Sequence, residues 1–152
     1  MLRKLTLLIA LILLAMRTIA GVPRQCFPPG LALPSAWTEP YEVHRVIGNL
    51  YAIGAADLGV FLITTNEGHI LINTGLEDST HWIKASIAAL ELEFQDIRIL
   101  LTTQAHFDHS AALAEIKLLT GAQMLATPGD TSVLLDGGVS DAQFGHCLDF
   151  RF

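Results

Sequence analysis

The segment Gln104-Ala105-His106-Phe107-Asp108-His109 holds the side chains of this chain best suited to chemistry. Two imidazoles and a carboxylate fall within four residues, and the amide of Gln104 precedes them. Imidazole and carboxylate ligands together suit zinc. The alternative is that Asp108 only caps a helix and that the histidines are ordinary loop residues. Four potential ligands in six residues, directly after an apolar strand, favour a metal site.

The chain is expected to turn within this segment, so His106 and His109 do not bind one ion as a helical pair. A bent loop instead directs alternate side chains toward two neighbouring metal positions. Asp108 also stands where it is predicted to cap a helix beginning at Ser110. Such a cap would fix its backbone while a carboxylate oxygen faces the metal.

The elements around the loop follow from hydrophobic periodicity. Residues 97–102 form an apolar run typical of a strand buried on both faces. Residues 110–120 are predicted to form a helix that Gly121 ends, with one apolar side made of Leu113, Ile116 and Leu119. The loop would therefore lie at the end of a buried strand, where α/β proteins place their reactive groups.

The preceding residues predict a meander of short strands with glycine or asparagine at each reversal. A helix follows, capped by Asp78 or Ser79, with Ile83, Ile87 and Leu90 as its apolar face. The predicted strands span residues 43–47, 50–53, 58–64, 69–73, 97–102 and 123–126, and a last helix spans residues 130–135. This order predicts an α/β fold, a mixed sheet with helices on one face, whose other face also needs a cover.

The N-terminus is predicted to be an export signal. Residues 1–20 combine a basic start at Arg3 and Lys4, an apolar run and small residues before position 21. This pattern predicts a Sec-type signal peptide cleaved after Ala20, and hence a periplasmic or secreted protein. An uncleaved anchor is the alternative, because Arg17 lies close to the cleavage site.

Beyond the signal, five prolines in residues 21–40 predict an extended arm, and residues 41–152 are expected to form the folded body. Removing the signal changes the formal charge from −6 to −9. An acidic body repels nucleic acid and anionic lipid, so a small-molecule substrate is expected instead. Cys26 and Cys147 pair only if the fold brings them together, which their spacing does not show.

Residues 102–109, Thr-Thr-Gln-Ala-His-Phe-Asp-His, resemble the His-x-His-x-Asp-His signature of the metallo-β-lactamase superfamily. Flanking segments are similar to the third subclass of class B β-lactamases, namely residues 47–51, 57–63, 68–75, 83–87 and 136–141. The resemblance covers about residues 37–152. It implies the αββα sandwich, of which this chain holds the first half, with zinc as cofactor and a β-lactam as substrate.

Gln104 departs from the family pattern, because most members have a histidine there. An amide oxygen is a weaker zinc ligand than imidazole, so the first metal position, served by Gln104 and His106, is expected to be weak. One branch of the subclass has the same glutamine. Resemblance to it implies one or two zinc ions, with the second position, served by Asp108 and His109, favoured.

The resemblance also implies a second half that brings one further histidine to each metal position. No Gly-His-Thr-like segment occurs in the sequence, so the chain is expected to be truncated. A catalytic zinc has about three protein ligands, and the second position has two here, so the chain alone is expected to be inactive. The other histidines are expected at the surface: His44, His69, His81 and His146.

The implied reaction is hydrolysis of the β-lactam ring by a water that zinc activates, without a covalent enzyme intermediate. Asp108 would ligate the second zinc and orient the water, and His109 would ligate the same ion. His106 would hold the first zinc or line the pocket beside the substrate. Gln104 would be a weak ligand or a hydrogen-bonding group behind the ligands.

Trp37 and Phe144 resemble aromatic positions near the mouth of the cleft in this subclass, although simple packing of the arm against the body explains Trp37 equally well. Two other functions compete with the β-lactamase interpretation. One is another hydrolase of the superfamily, such as a thioesterase or lactonase. The other is a non-catalytic half-domain.

Overall fold

The computed structural model describes residues 32–142. The strands of this part of the chain are β1 (His44–Ile47), β2 (Leu50–Ala52), β3 (Phe61–Ile63), β4 (His69–Ile72), β5 (Ile97–Leu101) and β6 (Gln123–Leu125). The α-helices are α1 (Thr80–Ala89), α2 (Phe107–Ser110), α3 (Leu113–Thr120) and α4 (Pro128–Leu135). Short 3-10 turns occur at Ser35–Trp37, Glu77–Ser79 and Phe94–Asp96.

The six strands form a single sheet whose order follows the sequence from β1 to β6. Strands β1 to β4 pair antiparallel, whereas β4–β5 and β5–β6 pair parallel. Each parallel pair is joined through helices, α1 in the first case and α2 with α3 in the second. This is the mixed sheet that the sequence predicts.

The hairpin between β1 and β2 turns at Gly48-Asn49, as predicted. Gly48 has a φ of 54°, in the left-handed region that tight hairpin turns use and that glycine adopts without steric cost. Nδ2 of Asn49 donates a hydrogen bond to the carbonyl oxygen of Thr64 at 2.6 Å. The side chain thereby ties this turn to the end of β3.

The helices cover one face of the sheet and form the core with it. Leu62, Leu71 and Leu100 pair across β3, β4 and β5, and all three are fully buried. The helices contribute four further fully buried residues to the same cluster: Ile83, Ile87, Leu113 and Ile116. The predicted apolar stripe of α1 is therefore confirmed at its first two positions, and Leu90 packs against the cluster while only partly buried.

The opposite face, here called the outer face, is apolar but only half-buried within residues 32–142. It consists of Phe61, Ile63, Ile70, Ile72, Ile99 and Leu101, which alternate with core residues and pair across β3, β4 and β5. The prediction that residues 97–102 are buried on both faces is therefore wrong for the described chain. Ile97 and Leu100 are fully buried, whereas Arg98 is exposed.

Two details of the helices differ from prediction. Neither Asp78 nor Ser79 caps α1 with its side chain, because a 3-10 turn at Glu77–Ser79 leads directly into the helix. Leu119 is 42% exposed, so only Leu113 and Ile116 of the predicted apolar side of α3 are buried.

The end of α3 agrees with prediction. Gly121 follows the helix with a φ of 69° and donates its N–H to the carbonyl oxygen of Lys117 at 2.9 Å. This left-handed residue ends the helix, because the chain leaves the helical path there.

The described part of the arm, residues 32–40, contacts the body through backbone hydrogen bonds. The N–H of Asp57 donates to Ala36 at 3.1 Å, and the N–H of Ala56 donates to Glu39 at 3.0 Å. The 3-10 turn at Ser35–Trp37 interrupts the extended course expected of the arm.

The predicted signal peptide and the positions Cys26, Phe144, His146 and Cys147 lie outside the described residues. Within residues 32–142, no helix has both the length and the apolar character needed to cross a membrane.

One-sided burial of β5 predicts unequal effects for two adjacent residues of that strand, because neighbouring side chains point to opposite faces. Leu100→Ala is expected to lower the free energy of unfolding by about 2–5 kcal/mol, because it opens a cavity in the packed core. Ile99→Ala should cost less than half as much, because Ile99 is only half-buried. Urea-induced unfolding of the two variants and the parent measures this difference, and equal losses would contradict one-sided burial.

Candidate metal centre

Two adjacent parallel strands deliver the segment with the predicted ligands. After β4 ends, the N–H of Asn73 donates to the carbonyl oxygen of Leu101 at 2.9 Å. Residues 102–109 follow β5 directly. Because the carboxyl ends of parallel strands meet at one edge of a sheet, the segments that follow β4 and β5 lie side by side.

The buried amide of Asn73 holds the start of the loop. Its Oδ1 accepts hydrogen bonds from the N–H of Thr103 at 2.9 Å and the hydroxyl of Thr103 at 3.1 Å. Its Nδ2 donates to the carbonyl oxygen of Gly59 at 3.0 Å. Asn73 has a φ of 61°, a left-handed conformation that asparagine tolerates better than most other residues. One side chain therefore fixes the path of the chain into the loop.

The next two residues hold the far end of the loop. The N–H of Thr74 donates to the carbonyl oxygen of His109 at 2.8 Å, and the N–H of Ala111 donates to Gly75 at 3.2 Å. Gly75 has a φ of 69°, and a Cβ atom there would lie 2.7 Å from Oγ of Ser79. A glycine is therefore needed at this position for both backbone and packing reasons.

The first turn of α4 contacts the middle of the loop. Oδ1 of Asp130 accepts the N–H of Ala105 at 3.2 Å, and its Oδ2 accepts the hydroxyl of Thr127 at 2.7 Å. Thr127 is also the N-cap of α4, and its side-chain oxygen accepts the N–H of Asp130. The cap that starts the helix thus directs a carboxylate at the backbone between Gln104 and His106.

Asp108 and His109 form the pair with the spacing of metal ligands. Oδ2 of Asp108 lies 3.4 Å from Nε2 of His109. Two atoms that are each about 2.0–2.2 Å from a tetrahedral zinc lie roughly 3.3–3.6 Å apart. The other ring nitrogen of His109, Nδ1, lies 3.4 Å from the hydroxyl of Thr103. This spacing would allow both atoms to bind one ion, and it is also the distance of a direct carboxylate–imidazole contact.

His106 contacts a different carboxylate. Its Nε2 lies 3.5 Å from Oδ2 of Asp141, whose side chain is 4% exposed. His106 and His109 thus contact different carboxylates, and their assignment to two metal positions stays a prediction. Gln104 is half-buried, and its backbone carbonyl oxygen accepts a hydrogen bond from the hydroxyl of Thr102.

The predicted ligands His106, Asp108 and His109 do not form a metal-binding cluster on their own. Among residues 32–142, no three His, Cys, Asp or Glu side chains lie close enough together to hold a metal ion. A catalytic zinc usually has three protein ligands and one open position. The described chain therefore holds no complete metal site, and the assignment of Asp108 and His109 as zinc ligands stays a prediction.

The predicted cap at Asp108 is wrong. Helix α2 begins at Phe107, with His106 at the N-cap position and no side-chain cap, so Asp108 lies inside the first turn. The hydroxyl of Ser110 donates to the carbonyl oxygens of His106 at 2.8 Å and Ala105 at 3.2 Å, which tightens this turn. The carboxylate of Asp108 contacts His109 instead of the helix N-terminus.

Trp37 packs beside the loop. Its ring centroid lies 6.4 Å from that of Phe107, with the planes inclined at 54°, and the half-buried indole also packs against the core. Trp37 therefore both packs the arm against the body and lies beside the loop, so the two interpretations of this residue do not exclude each other. Phe144, the other predicted aromatic residue, lies outside the described part of the chain.

The structure describes three further histidines, and their printed side-chain hydrogen bonds are local. His44 and His81 are exposed, as expected. His69 is buried, so the prediction of a surface position is wrong for it. The N–H of Thr65 donates a hydrogen bond to Nδ1 of His69 at 3.4 Å. This bond closes the turn that leads into β4.

Sequence reasoning missed three polar residues that hold the loop: Asn73, Asp130 and Asp141. The Thr127-Pro128-Gly129-Asp130 segment carries a recognisable helix-start pattern, with a capping residue, proline and an acid three residues later. That pattern locates α4 but does not reveal which loop the carboxylate meets. Asn73 follows β4 and Asp141 follows α4, and no local sequence pattern predicts the contacts of either residue with the loop.

No protein-family model matches the chain. Among solved structures, a β-lactamase from Chitinophaga pinensis is 46% identical, with a TM-score of 0.76 over 83% of this chain and 48% of that one. A class B3 di-zinc metallo-β-lactamase from an Alaskan soil metagenome is 48% identical, with a TM-score of 0.76 over 80% and 46%. The metallo-β-lactamase GOB-18 from Elizabethkingia meningoseptica is 43% identical, with a TM-score of 0.77 over 80% and 45%.

The chain is thus a homologue of the subclass B3 metallo-β-lactamases and spans about half the length of these relatives. Its mixed sheet with helices matches the N-terminal half of their αββα fold.

The Asn73 network predicts a specific loss of order at the loop. Asn73→Gly keeps the left-handed backbone accessible but removes the amide, so unfolding free energy should fall by about 1–3 kcal/mol. Asn73→Ala should cost about 1 kcal/mol more, because alanine disfavours a positive φ. Hydrogen exchange at the Thr103 N–H should accelerate in both variants. Asn66→Gly, in an exposed turn, is the matched control, and unchanged exchange at Thr103 would refute this role.

Proposed function

We infer that this homologue of the subclass B3 metallo-β-lactamases contributes half of a zinc-dependent site that hydrolyses the β-lactam ring. The observation that carries this proposal is the likeness to solved β-lactamases, which are 43–48% identical over 80–83% of this chain, with Asp108 and His109 in contact on the loop after β5. This pair lies on a loop at the carboxyl edge of a sheet shared with solved β-lactamases. A second half, as in the relatives, would supply further ligands and cover the outer face.

The residues of the loop have distinct roles in this proposal. Zinc, when bound, lowers the pKa of a coordinated water and polarises the substrate carbonyl. Asp108 would hold the ion and orient the water. His109 would hold the same ion through Nε2, because the hydroxyl of Thr103 lies 3.4 Å from its Nδ1. Ring opening then needs no nucleophilic side chain.

His106 and Gln104 serve the neighbouring position. We propose that the neutral amide of Gln104 makes this first position weak, as in the glutamine-containing branch of the subclass, because imidazole is the stronger zinc ligand. His106 then holds a weakly bound first zinc or lines the pocket beside the substrate. Trp37, packed on Phe107, would form part of the rim of the same cleft.

A chimera tests the proposal directly. When this chain is followed by the C-terminal part of the Elizabethkingia meningoseptica enzyme, we expect chelator-sensitive hydrolysis of a cephalosporin. Asp108→Ala in the chimera should lower kcat/KM by more than about 100-fold, because loss of even a supporting residue behind a ligand costs 10–100-fold. His44→Ala, which removes an exposed histidine, is the matched control.

Two results would contradict this assignment. Hydrolysis of the thioester S-lactoylglutathione without turnover of the cephalosporin would identify the superfamily thioesterase function instead. Chelator-sensitive cephalosporin hydrolysis by the 152-residue chain alone would show that the described pair needs no partner half.

Gln104→His in the same chimera tests the weak first position. The imidazole should raise the zinc content measured by elemental analysis from about one to about two ions per protein after dialysis, because it replaces an amide oxygen with a stronger ligand. Gln104→Ala is the control and should leave about one ion bound. Two ions retained by the parent chimera would show that Gln104 does not weaken this position.

A further inference from the structure

We propose that a cavity between the segment leading into β1 and the loop from β2 to β3 binds an organic cation through its ammonium group. This β2–β3 cavity has a volume of about 450 Å³. Small-molecule sites typically measure about 300–1,000 Å³. The described lining falls within residues 41–61, so it contains no part of the loop after β5. The inference is therefore independent of the proposed function.

Three aromatic rings line the β2–β3 cavity, those of Tyr41, His44 and Phe61. The ring centroids of Tyr41 and His44 lie 5.6 Å apart, and the two planes are inclined at 80°. Tyr41 is 57% exposed, whereas Phe61 is half-buried. The face of a tyrosine or phenylalanine ring attracts a cation that lies within about 6 Å of the ring centroid. Tyr41 and Phe61 thus provide two rings of the type that recognises an organic cation.

The charge of the lining favours a cation over an anion. Asp57 is the acidic residue among the described lining residues, which include no Lys or Arg. Asp57 is exposed, and the whole chain carries a formal net charge of −6. A negatively charged surface attracts cations and repels anions. The β2–β3 cavity therefore combines aromatic rings with a negative charge, the combination that suits an ammonium group.

Two other aromatic rings of the described chain already carry a cation of the protein itself. The guanidinium carbon of Arg45 lies 5.4 Å from the ring centroid of Tyr51, and Nζ of Lys84 lies 5.0 Å from that of Phe94. Among residues 32–142, no Lys or Arg lies over the ring of Tyr41 in this way. A cation from solution therefore meets no competing side chain of the described chain at this ring.

Backbone contacts hold both walls of the β2–β3 cavity. The N–H of Tyr41 donates to the carbonyl oxygen of Gly54 at 2.9 Å, and the N–H of Asp57 donates to that of Ala36 at 3.1 Å. A Cβ atom at Gly54 would collide with the carbonyl oxygen of Leu58, so the loop packs more closely there than a side chain allows. A cavity formed before the ligand arrives lowers the ordering cost of binding.

An NMR titration of the 152-residue chain with choline tests the site without metal or β-lactam. We expect choline chloride to shift the backbone amide signals of Gly54, Asp57 and Gly59 saturably, with a millimolar dissociation constant. Sodium chloride at the same concentration is the reference for ionic strength. Dimethylbutanol, the neutral analogue in which carbon replaces the ammonium nitrogen, should bind about 5-fold more weakly, because it lacks the charge that the rings attract.

Two variants assign the contacts of the cation. Tyr41→Leu should weaken choline binding about 2- to 5-fold, because it removes the exposed ring but keeps an apolar side chain. Asp57→Asn should weaken it by a similar factor of about 2- to 5-fold, because it removes the charge at nearly constant size. Glu67→Gln alters an exposed carboxylate beyond the opposite end of β3 and should bind choline as the parent does.

Three results would overturn the cation site. They are the absence of saturable shifts, equal affinity for choline and dimethylbutanol, and unchanged choline affinity in either Tyr41→Leu or Asp57→Asn. If a variant loses its native spectrum, the comparison of choline with dimethylbutanol in the parent decides. Because the readout needs no turnover, a chimera that fails to hydrolyse β-lactams leaves this result standing.

Discussion

The side-chain amide of Asn73 joins the segments that follow β4 and β5, and the geometry of the metal centre depends on that bond. Each hydrogen bond of this kind adds only about 0.5–1.5 kcal/mol, but a buried donor left without its acceptor costs about 1–3 kcal/mol. The amide oxygen of Asn73 accepts a hydrogen bond from the N–H of Thr103, and its amide nitrogen donates one to the carbonyl oxygen of Gly59. The backbone of Asn73 is left-handed. The loop therefore has one favourable path out of β5, and Thr103 reaches Nδ1 of His109 along that path.

A second set of contacts to the loop comes from residues that follow it in the sequence. Asp130 binds the backbone N–H of Ala105, and Asp141 contacts the ring of His106. Both carboxylates lie in the segment of α4 and its following turn, so one segment sets both the path of the loop and the orientation of a ring. Residues 102–109 are consequently held by residues far from them in sequence, which explains how a short, turning loop can keep its side chains at fixed spacing.

Periodicity and punctuation were sufficient to predict the sheet, because each strand is marked by its apolar alternation and each turn by glycine or asparagine. The closeness of Asp108 and His109 was also predictable, since the two residues are adjacent in the loop after β5, whereas their role as ligands stays a prediction. The supporting residues were not, because Asn73, Asp130 and Asp141 act through contacts between segments that have no trace in local sequence. The same limit explains the error at Asp108: a carboxylate before Ser110 looks like a cap, yet the helix begins at Phe107 because Ser110 bonds backward to His106.

The sheet and the candidate metal centre are each incomplete within the described residues. The helices bury Leu62, Leu71 and Leu100 completely, while the outer face remains half-buried in the described chain, and apolar area left in water forgoes about 25 cal/mol per Å². The Asp108–His109 pair, which we propose as zinc ligands, likewise provides two ligands where a catalytic zinc needs three. If one further half supplies both the missing cover and the missing ligand, then folding and zinc binding are linked, because a metal that binds only the folded state stabilises that state. The zinc affinity of the loop would then depend on packing against the outer face, through the position of the third ligand, without direct contact between any outer-face residue and the ion.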